Sequence, residues 1–364
     1  MTTTTVSQDE RRDALVGRAL QSFQGAADVF AMYLGQRLGY YHSLWKDGPA
    51  TAPELAARSG TNERYAREWL EQQAASGFLD VDDVRATPEQ RRFTLPAGHA
   101  AVLADADDLN YVAPLATIFA AVGRKLDALV SAYRSGSGVS WADFGDEMRE
   151  GQAASNRPLF LKALAQDCLA AIPDIHARLS ADTPARVADI ACGFGWSSIG
   201  IANAYPNVRV DGFDLDAPSI SAAKANAREH GVADRVRFQA IDAGAPELAG
   251  GYDLVLICEA LHDMSRPVDV LRTARKLAGD QGAVLVIDEK TDEEFSAPSS
   301  DFDRLFYGYS VLVCLPDGMS HQPSAATGTV MRPARLRAYA REAGFTDVET
   351  LPIELGFFRV YRLR

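Results

Sequence analysis

The 364-residue sequence predicts a doubly wound α/β sheet joined to a smaller, mainly helical N-terminal domain. Three observations carry that expectation. From about residue 186 onward, short apolar runs alternate with helical stretches, the pattern of parallel strands linked by crossover helices. The first run ends in the glycine-spaced turn of V-A-D-I-A-C-G-F-G-W-S, Val187 to Ser197. An acid marks each of the first three runs: Asp189 four residues before the first glycine, Asp214 after Val208 to Phe213, and Asp242 after Val236 to Ile241.

The N-terminal part is read from its spacing. Leu15, Ala19, Phe23, Ala26, Phe30, Leu34 and Leu38 recur every three or four residues, predicting a helix across Asp13 to Leu44 that breaks near Gly35 or Gly39. The stretch from Gly48 then reads as helix, tight turn at Gly60, a second helix from Asn62 to Ala75 and a strand from Phe78, with Thr51 and Asn62 as N-caps. Arg91 to Leu95 is the returning strand, which completes a winged helix-turn-helix. Its second helix carries Arg64 and Arg67 among Glu63, Glu68 and Glu71, and Asp80, Asp82 and Asp83 crowd the wing. Such a surface repels phosphate, so nucleic acid is not an expected partner. Leu109 to Tyr133 is read as a helical link and S-G-S-G-V, Ser135 to Val139, as a flexible joint. The expected domains are residues 1–105, a linker at 106–150 and a ligand-binding domain at 151–364.

Within that last domain Gly193 and Gly195 let the chain turn sharply and approach a ligand closely. In an open α/β sheet the carboxyl ends of the strands line the binding crevice. Asp214, in V-D-G-F-D-L-D, suits two ribose hydroxyls, Asp242 suits the exocyclic amine of adenine, and Asp189 suits an ammonium, directly or through water. A nicotinamide fingerprint would place a third glycine where Ser198 stands, and a P-loop would need a Lys that is absent. Further strands are expected at Tyr252 to Cys258 and Ala283 to Asp288, with a helix from Ala217 to His230 closed by Gly231 and another from Pro333 to Ala343.

After the fourth strand comes L-I-C-E-A-L-H-D-M-S-R-P. His262 is a candidate general base there, with Asp263 or Glu259 to orient its ring. Each has a plainer reading: His262 as a structural histidine, Glu259 as a cap on the following helix.

Composition narrows the class. A net charge of −12 disfavours nucleic-acid and anionic-membrane partners. Cys168, Cys192, Cys258 and Cys314 are far apart, without metal-ligand spacing, and the start M-T-T-T-T-V-S-Q-D-E lacks a leader pattern. No apolar run reaches membrane-spanning length, so a reduced cytoplasmic compartment is expected.

D-I-A-C-G-F-G, G-F-D-L-D and A-I-D-A, in this order, resemble the class I methyltransferases, and the resemblance implies S-adenosylmethionine as the bound donor, with S-adenosylhomocysteine as its product. It also implies a Rossmann-like, mainly parallel sheet finished by an antiparallel strand, here Thr346 to Leu351 with Phe357 to Leu363. Carried onto this sequence, the donor site is Asp189, Ala191, Gly193, Gly195, Asp214, Leu215, Asp242, Ala243 and Cys258. L-H-D resembles the L-H-D-W of plant-type small-molecule O-methyltransferases, with Met264 in place of Trp. Y-L-G-Q-R-L-G-Y-Y, E-R-Y-A-R-E-W-L-E-Q-Q-A-A-S-G, E-A-L-H-D and S-V-L-V-C-L-P are similar to a bacterial winged-helix group of that class, in which the N-terminal region dimerises and covers the substrate.

The aromatic stretch before the last helix supplies the candidate substrate pocket: Phe302, Phe306, Tyr307 and Tyr309, with Tyr40, Tyr41 and His42 as further candidates, most of which have the plainer reading of core residues, and Trp141, Phe144 and Met148 beside the cofactor. The expectation is a homodimeric methyltransferase acting at oxygen on a small, partly apolar or aromatic metabolite, with no metal. The alternatives are an S-adenosylmethionine-binding enzyme of non-methylating chemistry and a winged-helix regulator that senses this ligand.

Overall fold

In the computed structural model, residues 7–244, 248 and 250–364 are described. The first six residues, part of the start read as lacking a leader pattern, lie outside them. Two compact units divide the chain, Met1–Ala120 and Ala121–Arg364.

In the first unit, Ser7 and Glu10 cap each other's backbone N–H at the start of helix Gln8–Arg37. The expected break falls at Gly39, whose φ of +70° ends one helix and starts Tyr40–Lys46. Ala52–Ser59 begins at a Thr51–Glu54 capping box, and Asn62 caps Glu63–Ala75. β1 (Asp80–Val81) pairs antiparallel with β2 (Phe93–Thr94), a shorter wing than the sequence predicts. Tyr40 and Tyr41 pack on Trp69 in this core, their hydroxyls donating to Thr61 and Gln73. They are therefore core residues, the plainer of their two readings from the sequence. Leu15, Phe23, Phe30, Leu34 and Leu38 are exposed along the first helix, so within one chain their stripe meets no core. The basic residues of the second winged-helix helix are partnered by acids, Arg67 with Glu89 and Arg64 with Glu68.

The expected link from Leu109 to Tyr133 contains two helices, Leu115–Gly123 and Leu126–Ser135. The joint after them is pinned rather than flexible. Val139 N–H donates to the Pro316 carbonyl at 3.0 Å, and a Cβ on Gly138 would come within 2.2 Å of that oxygen. Phe144 and Met148 are buried.

The second unit holds β3 (Arg186–Ile190), β4 (Arg209–Asp214), β5 (Val236–Ala240), β6 (Leu254–Cys258), β7 (Ala283–Glu289), β8 (Val348–Thr350) and β9 (Phe358–Leu363). They form one seven-stranded sheet in the order β5-β4-β3-β6-β7-β9-β8. The first five are parallel, while β9 runs antiparallel to β7 and to β8, the reversed hairpin expected at the end. β6 is buried along its whole length, as a central strand covered on both faces must be. Because β3 to β7 share one direction, all five carboxyl ends open on one edge, and the order reverses between β3 and β6. The aromatic stretch is helical: Asp301–Tyr309, a π-turn at Ser310–Cys314, then Leu315–Met319. Asp303 anchors it, fully buried against Arg332 at 2.6 Å and the Asp292 N–H at 2.9 Å.

Candidate active site

Past β3 the backbone turns left-handed at Ala191, Gly193 and Gly195, with φ of +58°, +50° and +80°. The two glycines serve different ends. A Cβ on Gly195 would strike the Phe238 ring at 2.5 Å, whereas one on Gly193 would meet nothing within 4 Å. Gly195 thus permits packing, and Gly193 leaves open space at the turn.

Asp214 closes β4. One carboxylate oxygen accepts the Gly193 N–H and the other the Asp216 N–H, both at 2.8 Å, so each keeps a further acceptor position. Burial raises its carboxyl above the ordinary range despite these bonds. Asp189 is buried within β3. Its Oδ2 accepts the Ser197 and Ser198 hydroxyls at 2.5 and 2.6 Å, while its buried Oδ1 has no partner. Burial pushes this carboxyl up to about 6. Asp242 is half exposed, pairs with Arg266 at 3.2 Å and accepts the Gly244 N–H. Leu215 is exposed, Ala243 half-buried and Cys258 buried.

Two residues absent from the sequence reading brace this edge. Arg149, on helix Asp146–Pro158, grips both oxygens of Asp216 at 2.8 Å. Asp216 in turn caps helix Ala217–Glu229 through the Ser219 N–H. The D-L-D spacing signals the cap, but nothing local signals an arginine 67 positions away.

Beyond β6, Glu259 holds a φ of +49°, strained for a residue with a side chain. Its carboxylate accepts from Gln152 at 3.0 Å and from Asn156, and burial lifts it to about 7. His262 is buried. Its Nδ1 lies 3.0 Å from Asp288 Oδ1, with which it hydrogen-bonds, and 2.9 Å from Glu289 Oε2. Asp263 stands 3.9 Å from Nε2. Burial works against a charged ring, yet Glu289, Asp288 and Asp263 together raise the His262 pKa well above its ordinary value. The orienting acids on Nδ1 are thus Asp288 and Glu289 from the end of β7, not the sequence neighbours Asp263 and Glu259. Asp288 reads as an ordinary strand end until the sheet sets β7 beside β6.

The four aromatic candidates separate. Phe306 is buried and stacks on Phe302, which meets Phe357 edge-on. Tyr307 is half exposed beside Phe295 and Arg332. Tyr309 is drawn into the field of Glu259, and burial raises its phenol.

Residues 182–314 match a methyltransferase domain family, and residues 26–105 match the Rv2258c-like winged HTH domain. The chain is 26% identical over 355 residues to the mitomycin biosynthesis 6-O-methyltransferase of Streptomyces lavendulae, covering 94% of this chain and 92% of the relative. It is 31% identical over 159 residues to the ubiquinone biosynthesis O-methyltransferase of Bordetella bronchiseptica, a match of 44% of this chain and 61% of that one. Among solved structures it is similar to the mitomycin 7-O-methyltransferase MmcR, with a TM-score of 0.69, 23% identity and coverage of 97% and 98%. Human N-acetylserotonin methyltransferase in complex with SAM gives 0.64, 19% identity and coverage of 100% and 99%.

Proposed function

The chain is a class I S-adenosylmethionine-dependent methyltransferase behind an Rv2258c-like winged-helix domain, and from that premise we propose that it methylates an oxygen of a small, partly apolar or aromatic metabolite. The observation that carries the reading is a buried histidine at the end of β6 whose Nδ1 is held by two carboxylates. Relatives named for 6-O-methylation in mitomycin biosynthesis and O-methylation in ubiquinone biosynthesis support an oxygen acceptor.

S-adenosylmethionine supplies an electrophilic methyl carbon on a cationic sulfur. The residues present fit it: a buried, unpartnered Asp189 oxygen stands ready for its ammonium, and the spare acceptor positions of Asp214 suit its ribose hydroxyls. Gly193 leaves room for close backbone approach. Asp242 offers the adenine amine an acceptor, with Ala191, Gly195, Leu215, Ala243 and Cys258 completing the wall. On the acceptor side, His262 Nε2 takes the hydroxyl proton as that oxygen attacks; it does so from the neutral ring, which the acids around it make the minor form, and Asp288 and Glu289 stabilise the imidazolium that results. Glu259, fixed by Gln152 and Asn156, positions the acceptor, with Tyr309 beside it and Phe302, Phe306 and Tyr307 as the outer part of the pocket.

The chain acts as a homodimer. Its exposed stripe on Gln8–Arg37 and an open apolar groove of about 570 Å³, lined by Leu126, Val130, Tyr133 and Val311, are the surfaces a second copy would cover. Acid-partnered arginines on the winged helix support a role other than nucleic-acid binding. Among the described residues no helix is long and apolar enough to cross a membrane, and four free cysteines fit a reducing cytoplasm.

Calorimetric titration with S-adenosylmethionine, S-adenosylhomocysteine and NAD, followed by S-adenosylhomocysteine release against a panel of aromatic hydroxyl compounds, tests the reading. Binding of the sulfur ligands alone, with release that needs both a hydroxyl acceptor and His262, supports it. Release with amine acceptors only would move the reacting atom to nitrogen.

A further inference from the structure

One ring nitrogen of His262, a carboxylate oxygen of Asp263 and the Cys314 thiol lie within 4.8 Å of one another. Cys314 comes from the π-turn of the aromatic stretch, far from the other two in sequence. Nδ1 is already engaged by Asp288, so Nε2 is the nitrogen left for a ligand, and Asp263 approaches it at 3.9 Å. A histidine that gives one ring N–H to a carboxylate and turns the other nitrogen to a metal is the usual arrangement around protein-bound zinc. Imidazole, carboxylate and thiolate are all zinc donors, and three protein ligands leave the fourth position open. Cys168, Cys192 and Cys258 are buried, whereas Cys314 is half-buried.

We propose that His262 Nε2, Asp263 and Cys314 form a binding site for a zinc-class divalent cation, and that its occupancy blocks methyl transfer by taking the lone pair that would accept the substrate proton. The blocking part rests on the assignment of His262 as proton acceptor. Binding releases the thiol proton of Cys314 and any proton on Nε2 to solvent, leaving a thiolate and a neutral imidazole on the metal. Burial holds the Cys314 thiol up at about 11, so the cation must displace that proton rather than find a thiolate waiting.

Cobalt(II) serves as the spectroscopic probe. The purified full chain should bind one equivalent with a thiolate-to-cobalt charge-transfer band in the near ultraviolet; zinc should bleach the band and shield Cys314 from alkylation. Cys314→Ser, close to isosteric and checked for native circular dichroism, should lose the band, and its methyl transfer should persist at zinc concentrations that cut wild-type turnover at least tenfold. Asp263→Asn should weaken cobalt binding without removing the band. A wild-type protein without the band, a band that survives Cys314→Ser, or equal zinc inhibition of both proteins would overturn the proposal. A band present with no methyl transfer to any acceptor would instead sink the proposed function, and the metal site would stand.

Discussion

Ser198 occupies the place where a dinucleotide-binding turn carries its third glycine, and its hydroxyl donates to Asp189 at 2.6 Å. Together with Ser197 it satisfies one oxygen of a buried acid and leaves the other without a partner. The substitution that argues against a nicotinamide site thus helps to build the anionic floor of the proposed donor site.

That acid gives a pH signature. Burial raises Asp189 to about 6, so the ligand-free fold favours its protonated form. Its stabilising contribution is complete below pH ~4, the unfolded carboxylate range, and is lost as pH rises through the folded value, a change of about 3 kcal/mol. Donor binding has the opposite dependence, because the ammonium needs the ionised form. Titrations across this range should show affinity for S-adenosylmethionine falling below pH ~6, and Asp189→Asn should flatten both this profile and the pH slope of the ligand-free melting curve. A profile unchanged in the variant would remove Asp189 from the site.

Asp214→Ala should weaken S-adenosylmethionine binding by about 1.5 to 3 kcal/mol, the scale of hydrogen bonds to a charged group. It also frees the N–H groups of Gly193 and Asp216. Calorimetry on the variant decides the matter, and unchanged affinity would break the ribose assignment.

Arg149 and Asp216 form a nearly buried bidentate pair, and removing one partner strands the other charge. Arg149→Met should cost about 3 to 5 kcal/mol of unfolding free energy in denaturant titrations. Lysine cannot reproduce the fork, so Arg149→Lys should recover only part of the loss. If the variant melts like the wild type, the pair is a surface ornament.

His262→Ala should lower kcat by about a hundredfold or more with little change in KM, as expected when a proton acceptor is lost. Asp288→Asn should lower kcat less and leave donor binding intact, because it acts through the ring's orientation. A small kcat effect for His262→Ala would make it a pocket residue.

Replacing Phe23 and Leu34 with Glu on the exposed helical stripe should convert a dimer to a monomer by light scattering. A wild-type monomer at the same concentration would end the dimer proposal.

Much was legible along the chain. Alternating apolar runs, capping residues such as Thr51 and Asn62, and acids beside strand ends are local signals, each set by the chemistry of a few neighbouring residues. They gave the parallel sheet, the winged helix and Asp214 beside the glycine turn, while the reversed final hairpin was implied by the family resemblance. They also misled. Ser135 to Val139 looks free until Pro316 is placed beneath it, whereas Tyr40 and Tyr41 read as core or pocket alike until Trp69 is packed against them.

The order of the strands and the identity of the partners belonged to the tertiary structure. Sequence placed His262 after β6 with acids nearby in the chain, since a strand end followed by a turn is a local event. Only the sheet could bring Asp288 and Glu289 to its Nδ1, because hydrogen bonding between β6 and β7 sets the end of β7 beside the turn that follows β6, joining residues 26 positions apart. Arg149 reaches Asp216, and Cys314 reaches His262, for the same reason: burial and backbone pairing join groups whose separation along the chain carries no signal of their meeting.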